Sequence, residues 1–156
     1  CIPIAILKNT SNVEFHATDI SNDALEIATK NATMNEAQVH FFQSDILKTK
    51  GLAASYDLIV SNPPYVLQSE KAAMKENVLK YEPHRALFVP NSDPLVFYRK
   101  IGEIASKNLT NGGRLYFEIN QKYGAAVMEL LQSLDFKNCV LRKDIYGADR
   151  MIKAQR

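Results

Sequence analysis

The chain has 156 residues, 46% of them hydrophobic and 23% charged, with a formal net charge of +2. That composition suits one globular domain able to bury a core, and the charge surplus is too small to argue for a nucleic-acid partner. Its two cysteines, Cys1 and Cys139, exclude a disulfide framework or a cysteine-based zinc site and suit a reducing cytoplasm; no apolar run has the length of a membrane span and no signal peptide is visible.

The chain lacks an initiator Met and opens on core-type residues, Cys1-Ile2-Pro3-Ile4-Ala5-Ile6-Leu7. Proline favours the first turn of a helix, so a short helix is expected near residues 3–9, and the chain reads as a fragment of a longer protein. Asn9 to Asn12 forms a turn, and Val13 to Thr18 a strand ended by Asp19. Ser21 as N-cap, Asp23 in the first turn, and Leu25, Ala28 and Ala32 at helical spacing predict a helix over 22–35. Val39 to Gln43 is the next strand, ended by Ser44-Asp45, and Tyr56 to Ser61 the third, closed by Asn62-Pro63-Pro64-Tyr65.

Residues 66–90 carry many charges and no clear period, and are read as a long functional loop or lid with a short helix near Glu70 to Lys80. Asp93-Pro94 predicts the N-cap and first residue of a helix reaching Asn108, with Leu95, Val96, Ile101, Ile104 and Ala105 as its apolar stripe. Asn111-Gly112-Gly113 is expected to stop it. Arg114 to Ile119 is a strand, and Gln121 to Leu134 a helix with Val127, Leu130, Leu131 and Leu134 inward. Lys137 to Leu141 and Arg150 to Ala154 lie too close together for a parallel crossover and must be antiparallel. Arg142, Lys143, Arg150, Lys153 and Arg156 read as a solvated face. The fold class is α/β, a doubly wound and mostly parallel sheet ending in an antiparallel hairpin, with residues 1–156 as one domain.

In open α/β sheets, ligands sit outside the carboxyl ends of the strands. Three successive strands here end near a polar residue, Asp19, Asp45 and Asn62. An acidic residue at the second strand of such a sheet commonly takes ribose hydroxyls, about 20 residues after a Gly-rich loop. Counted back from Asp19, that loop falls at or before Cys1. Asp45 suits an adenine amino group. Either Asp alone is ordinarily a turn or cap residue; all three polar strand ends together favour a ligand site.

Two adjacent prolines fix two backbone torsions and withdraw two N–H donors, while their carbonyls still accept. Asn62 to Tyr65 is therefore a stiff, acceptor-rich corner with an aromatic wall, able to hold a planar NH2 group. The plainer reading is that the prolines only end the strand and Asn62 caps the turn. A nicotinamide dehydrogenase shares the first half of the pattern but explains neither this corner nor the terminal hairpin. His16, His40 and His84 show no paired spacing, so no metal centre is expected, and no G-x-S-x-G elbow occurs.

On these residues, Asn62-Pro63-Pro64-Tyr65 after Asp57 to Ser61 resembles motif IV of class I S-adenosylmethionine-dependent amino-methyltransferases. More narrowly, the chain is similar to the HemK-type protein-(glutamine-N5) methyltransferases that modify peptide chain release factors. Ala17 to Ser21, Gln43-Ser44-Asp45, Tyr81-Glu82-Pro83 with Ala86-Leu87, Phe97-Tyr98-Arg99, Gly112-Gly113 with Phe117-Glu118-Ile119, and Gly147 with Asp149-Arg150 extend the likeness over nearly the whole chain. The tetrapeptide alone is shared with DNA and RNA adenine methyltransferases; Glu82-Pro83 and Ala86-Leu87 make it specific.

The resemblance implies a Rossmann-like sheet and S-adenosyl-L-methionine as cofactor, held by Asp19, Ile20, Asp45, Ile46 and Asn62. It implies a release-factor glutamine held by Asn62, Pro63, Pro64 and Tyr65, with Asn62, Pro63 and Tyr65 catalytic. The composition itself points to a cytoplasmic protein with no membrane partner and disfavours nucleic acid as a direct substrate. The resemblance further implies a preceding N-terminal helical domain, first strand and Gly-rich loop. Without them, residues 1–156 are expected to bind the cofactor weakly or not at all. Two residues depart from the family pattern. Ile46 stands where an aromatic residue often lies against adenine, and Asn120 where glycine usually follows Phe-Glu-Ile; the latter is expected to disturb no catalytic residue. The alternatives are methylation of a ribosomal-protein glutamine or an adenine N6, and a non-catalytic module that binds protein partners only.

Overall fold

Pro3 stands in the first turn of α1 (Ile2–Leu7), where its missing N–H leaves no intrahelical bond unmade. The computed structural model describes every residue except Lys75 and the side chain of Ala73, and divides into two units, Cys1–Thr49 and Lys50–Arg156.

In the first unit, β1 (His16–Asp19) leads into α2 (Asn22–Met34) and then β2 (His40–Gln43). Ser21 caps α2 as predicted, its Oγ accepting from the Ala24 N–H at 3.3 Å, and Asp23 lies in the first turn. Ala32 is the buried residue of this helix. β1 and β2 are parallel, in register from His16 opposite His40 to Asp19 opposite Gln43. β1 begins later than Val13, because the partner strand starts only at His40; the His40 N–H donating to the Phe15 carbonyl opens the ladder.

The second unit is built on β3 (Tyr56–Ser61), β6 (Leu109–Glu118), β7 (Lys137–Lys143) and β8 (Asp149–Gln155), in the order β3-β6-β8-β7. β3 and β6 are parallel, while β8 runs antiparallel to both β6 and β7, as the short Gly147 connection requires. Two helices, α5 (Val96–Asn108) and α6 (Gly124–Ser133), pack on each other and on these strands. Tyr98, Ile104 and Ala105 of α5, Val127 and Leu131 of α6, Leu115 and Phe117 of β6, and Ile152 and Ala154 of β8 are buried together as the core. Each such aliphatic or aromatic side chain contributes about 1.5–3 kcal/mol, against about 0.5–1.5 kcal/mol net for one hydrogen bond. Apolar burial therefore sets where these elements lie, and polar contacts set the finer orientation.

Several expectations are corrected here. Residues 66–90 contain the helical structure expected near Glu70 to Lys80, but as part of a chain of short elements and not of one long loop. β4 (Val66–Leu67) pairs in parallel with β5 (Phe88–Val89), across a 3-10 turn at Gln68–Ala73, α3 (Glu76–Tyr81) and α4 (His84–Leu87). Two-residue strands and one-turn helices are too short to show a period; Lys75 lies outside the described residues. Asp93 does not cap α5, which starts at Val96 after Leu95. Arg99 donates to both Asp93 carboxylate oxygens, at 2.8 and 3.1 Å, and holds that side chain.

Asn111-Gly112-Gly113 does not stop α5 either. The helix ends at Asn108, whose side chain binds the backbone of Leu52 and Ala54. The Gly pair sits inside β6, where the register shifts from Tyr56 opposite Leu109 to Leu58 opposite Arg114 and Gly112 takes φ +79°. The turn signal marks a bulge and not a helix end. Gln121–Tyr123 is a 3-10 turn, with α6 starting only at Gly124. No helix among the described residues is long and apolar enough to cross a membrane.

A Cβ added at Gly113 would stand 2.9 Å from the Thr110 carbonyl oxygen, a backbone atom, and 3.2 Å from Leu109 Cβ. Gly113→Ala is expected to cost about 1–3 kcal/mol through forced backbone movement, read as a lower denaturant midpoint at unchanged slope. At Gly51 the nearest atom is the Asn108 side-chain oxygen at 3.4 Å, and Gly51→Ala should change stability by no more than about 0.5 kcal/mol.

Candidate functional site

The carboxyl ends of β1 and β2 bring four of the expected site residues into one stitched pair of loops. The Ser44 N–H donates to the Asp19 carbonyl at 3.0 Å, and the Gln43 side-chain amide donates to the Ile20 carbonyl at 2.9 Å. Asp19 is exposed, with Oδ1 accepting from the Ser21 N–H at 2.8 Å. Asp45 is half-buried; its Oδ1 accepts from the Leu47 N–H at 3.1 Å, and its Oδ2 lies 3.4 Å from Lys48 Nζ. Ile20 and Ile46 are half-buried beside them. An exposed carboxylate for hydroxyl groups and a second carboxylate beside an aliphatic side chain form an acceptor set that fits a ribose and an amino-bearing ring.

In the second unit the corner begins where β3 ends. Asn62 is exposed, Pro63 buried, and Pro64 and Tyr65 half-buried, with no cis peptide bond in the described chain. Tyr65 is held at both ends. Its hydroxyl donates to Glu118 Oε1 at 2.8 Å, and its carbonyl accepts from Asn120 Nδ2 at 3.1 Å. Both partners come from the end of β6, which runs parallel to β3 with Phe117 opposite Ser61. Parallel register thus delivers Glu118 and Asn120 to the corner at the carboxyl end of its own strand.

Asn120, the departure expected to disturb no catalytic residue, is the one buried polar residue among those described. Besides Tyr65 it donates to Glu70 Oε2 at 3.3 Å, and its Oδ1 accepts from the Lys122 N–H at 3.0 Å. Glu70 also accepts from the Leu67 N–H at 3.0 Å and pairs with Lys122 Nζ. One side-chain amide therefore ties the corner, the turn after it and the end of β6 together. The only sequence signal was an Asn where a family pattern has Gly.

Arg150 is also more than part of a solvated face. Its Nε donates to Asp144 Oδ2 at 3.2 Å and its Nη1 to the Ile119 carbonyl at 3.4 Å. Burial, followed by the hydrogen bond and charge of Glu118, pushes the Tyr65 hydroxyl above its ordinary value, with Arg150 pulling weakly the other way. Tyr65 is thus a protonated donor at neutral pH and cannot serve as a general base. With two prolines and a protonated tyrosine, the corner itself can accept N–H groups and orient them.

A family model described as the methyltransferase small domain matches residues 1–85. The chain is 54% identical over 153 residues to the release factor glutamine methyltransferase of Flavobacterium psychrophilum, covering 98% of this chain and 54% of that one. It is 46% identical over 157 aligned positions to the protein of that name from Bacteroides thetaiotaomicron, covering 100% and 56%. The chain spans about half the length of the curated relatives it matches. A crystal structure of a methyltransferase from Pyrococcus furiosus superposes with a TM-score of 0.65 at 18% identity, over 97% of this chain and 68% of that one. That likeness gives the Rossmann-like fold.

Removing the Asn120 amide leaves the Tyr65 carbonyl without its donor. Asn120→Ala is expected to cost about 1–3 kcal/mol in chemical denaturation, the range for an unsatisfied buried group. The Lys122 ammonium beside Glu70, aided by the Leu67 N–H, holds that carboxyl below its ordinary value of 4.5 against the effect of burial. A carboxyl depressed in the folded state stabilises above its unfolded value and loses that effect as pH falls through the folded one. Glu70→Gln should therefore be less stable than the parent at neutral pH, with the gap closing as pH drops below about 4.5; a gap that persists in acid would refute this role.

Proposed function

We infer the function from one premise: this chain belongs to the methyltransferase small domain family. It acts as the methyltransferase part of a protein that transfers a methyl group from S-adenosyl-L-methionine to the side-chain amide nitrogen of a glutamine in a peptide chain release factor, in the cytoplasm. The observation that carries this reading is the Asn62–Tyr65 corner at the carboxyl end of β3, in a chain whose relatives carry the name release factor glutamine methyltransferase. The two units are read as parts of one catalytic domain, since the family match from residue 1 to 85 runs across the boundary at Thr49 and Lys50.

Asp19, Ile20, Asp45 and Ile46 at the ends of β1 and β2, with Asn62, are the residues that hold the cofactor. When bound, it supplies an electrophilic methyl group. The rest of the chemistry falls to the corner. A glutamine amide nitrogen is a poor nucleophile because its lone pair is delocalised into the carbonyl. The Asn62 side-chain carbonyl and the Pro63 backbone carbonyl each accept one N–H, fix the nitrogen and favour its loss of planarity. Such orientation supplies up to roughly 7–11 kcal/mol of a barrier in well-oriented cases.

Acceptors facing a nitrogen that gains positive charge add electrostatic stabilisation. Pro64 keeps the turn rigid. The Tyr65 ring lies along the planar amide and excludes water, its hydroxyl anchored on Glu118. The nitrogen gives up one proton as it gains the methyl group. Tyr65 keeps its own proton, so that one is shed to solvent only as the methylated amide leaves the corner.

Asn62→Ala in the encoded full-length protein should lower methyl transfer by about 100-fold or more, with the circular dichroism spectrum unchanged. Turnover within a few-fold of the parent would refute the assigned role. Labelled cofactor offered with purified release factor, ribosomal protein or RNA tests the substrate. Label on a release-factor glutamine is expected; label on RNA or ribosomal protein alone would assign the corner to another amino or amide group.

A further inference from the structure

His16, His40 and Glu14, three side chains of the first unit with no part in the proposed reaction, meet at the amino ends of β1 and β2. His16 and His40 are the first residues of their strands and direct partners in the parallel register. Partners in register project to the same face, and a slip of one residue would send His40 to the other. Their rings meet edge to face with centroids 5.2 Å apart. Glu14 Oε1 lies 3.0 Å from His16 Nε2 and 3.7 Å from His40 Nε2. One potential ligand atom from each of the three residues lies within 4.8 Å of the others.

A tetrahedral ion bound at about 2.0–2.1 Å needs donors about 3.3 Å apart. The two distances from Glu14 Oε1, 3.0 and 3.7 Å, bracket that value. Small side-chain adjustments then bring three donors onto one ion. Glu14 and His40 have side chains 72% and 68% exposed, so both are free of the packing that would resist such movement. Two imidazoles and one carboxylate, with no thiolate, select first-row transition ions over Mg2+ or Ca2+.

We propose that Glu14, His16 and His40 bind one divalent first-row transition ion, such as Zn2+, that bridges β1 and β2. The remaining coordination positions are filled by water. The ion takes the Nε2 lone pair of each imidazole, which then carries its proton on Nδ1; any proton on Nε2 leaves to solvent. Three residue steps, about 10 Å of strand, separate His16 from Asp19 at the other end of β1. The ion therefore lies away from the carboxyl-end loops and acts as a clamp on the strand pair that carries them, not as a reactant.

The test uses the encoded full-length protein, stripped of metal and kept reduced, titrated with ZnCl2 by calorimetry. Binding of one ion per chain in the micromolar range is expected. His40→Ala and Glu14→Gln, both at exposed positions, should each weaken it at least about tenfold, since even loss of an outer-shell partner costs about 10–100-fold. Co2+ in place of Zn2+ should give a visible spectrum without a thiolate charge-transfer band, which separates this site from Cys1 and Cys139. No binding at millimolar Zn2+, unchanged affinity in either variant, or a thiolate band would each overturn the proposal.

Discussion

Two consecutive prolines leave the chain after β3 without two of its backbone donors, so carbonyls and side chains do much of the work of holding the corner. That constraint explains why residues from the end of β6 matter so much. Asn120 supplies a donor to the Tyr65 carbonyl and Glu118 an acceptor to its hydroxyl. Asn62, at the start of the corner, is exposed. A corner held by its own acceptors would have nothing to offer a ligand; this one is held mainly at its last residue.

β6 can do this because it is hydrogen-bonded on both sides and buried. It pairs with β3 on one edge and β8 on the other, and Leu115 and Phe117 are closed off from solvent. The apolar layer beneath contributes more than any one polar contact, so it sets the height at which β6 ends. Tyr98 of α5 fastens that end, its buried hydroxyl donating to the Glu118 carbonyl at 3.3 Å. Arg150, from the strand on the other side, reaches the Ile119 carbonyl. Glu118, Ile119 and Asn120 are therefore fixed from three elements before they meet the corner.

In the first unit, parallel pairing sorts the chemistry by strand end. Carboxylates suited to a nucleoside-like ligand stand at the carboxyl ends of β1 and β2, while the imidazoles stand at the amino ends. Both groupings follow from the same ladder. A parallel ladder places amino end beside amino end and carboxyl end beside carboxyl end, here with His16 opposite His40 and Asp19 opposite Gln43.

The sequence by itself determined the order and type of nearly every long element, since helix periodicity, the Ser21 cap and alternating strands are local properties. It also made legible the stiffness of the corner and its missing donors, because proline torsions and absent N–H groups need no tertiary partner. It misassigned Asp93 and Asn111-Gly112-Gly113, where a salt bridge to Arg99 and a strand bulge use the same residue types as a cap and a helix stop. It undervalued Asn120 and saw no link between His16 and His40. Only the tertiary structure decided those, because the partners lie far apart in the chain, 55 residues between Tyr65 and Asn120. Contacts at that range are set by strand register and core packing, which no short stretch of sequence encodes alone.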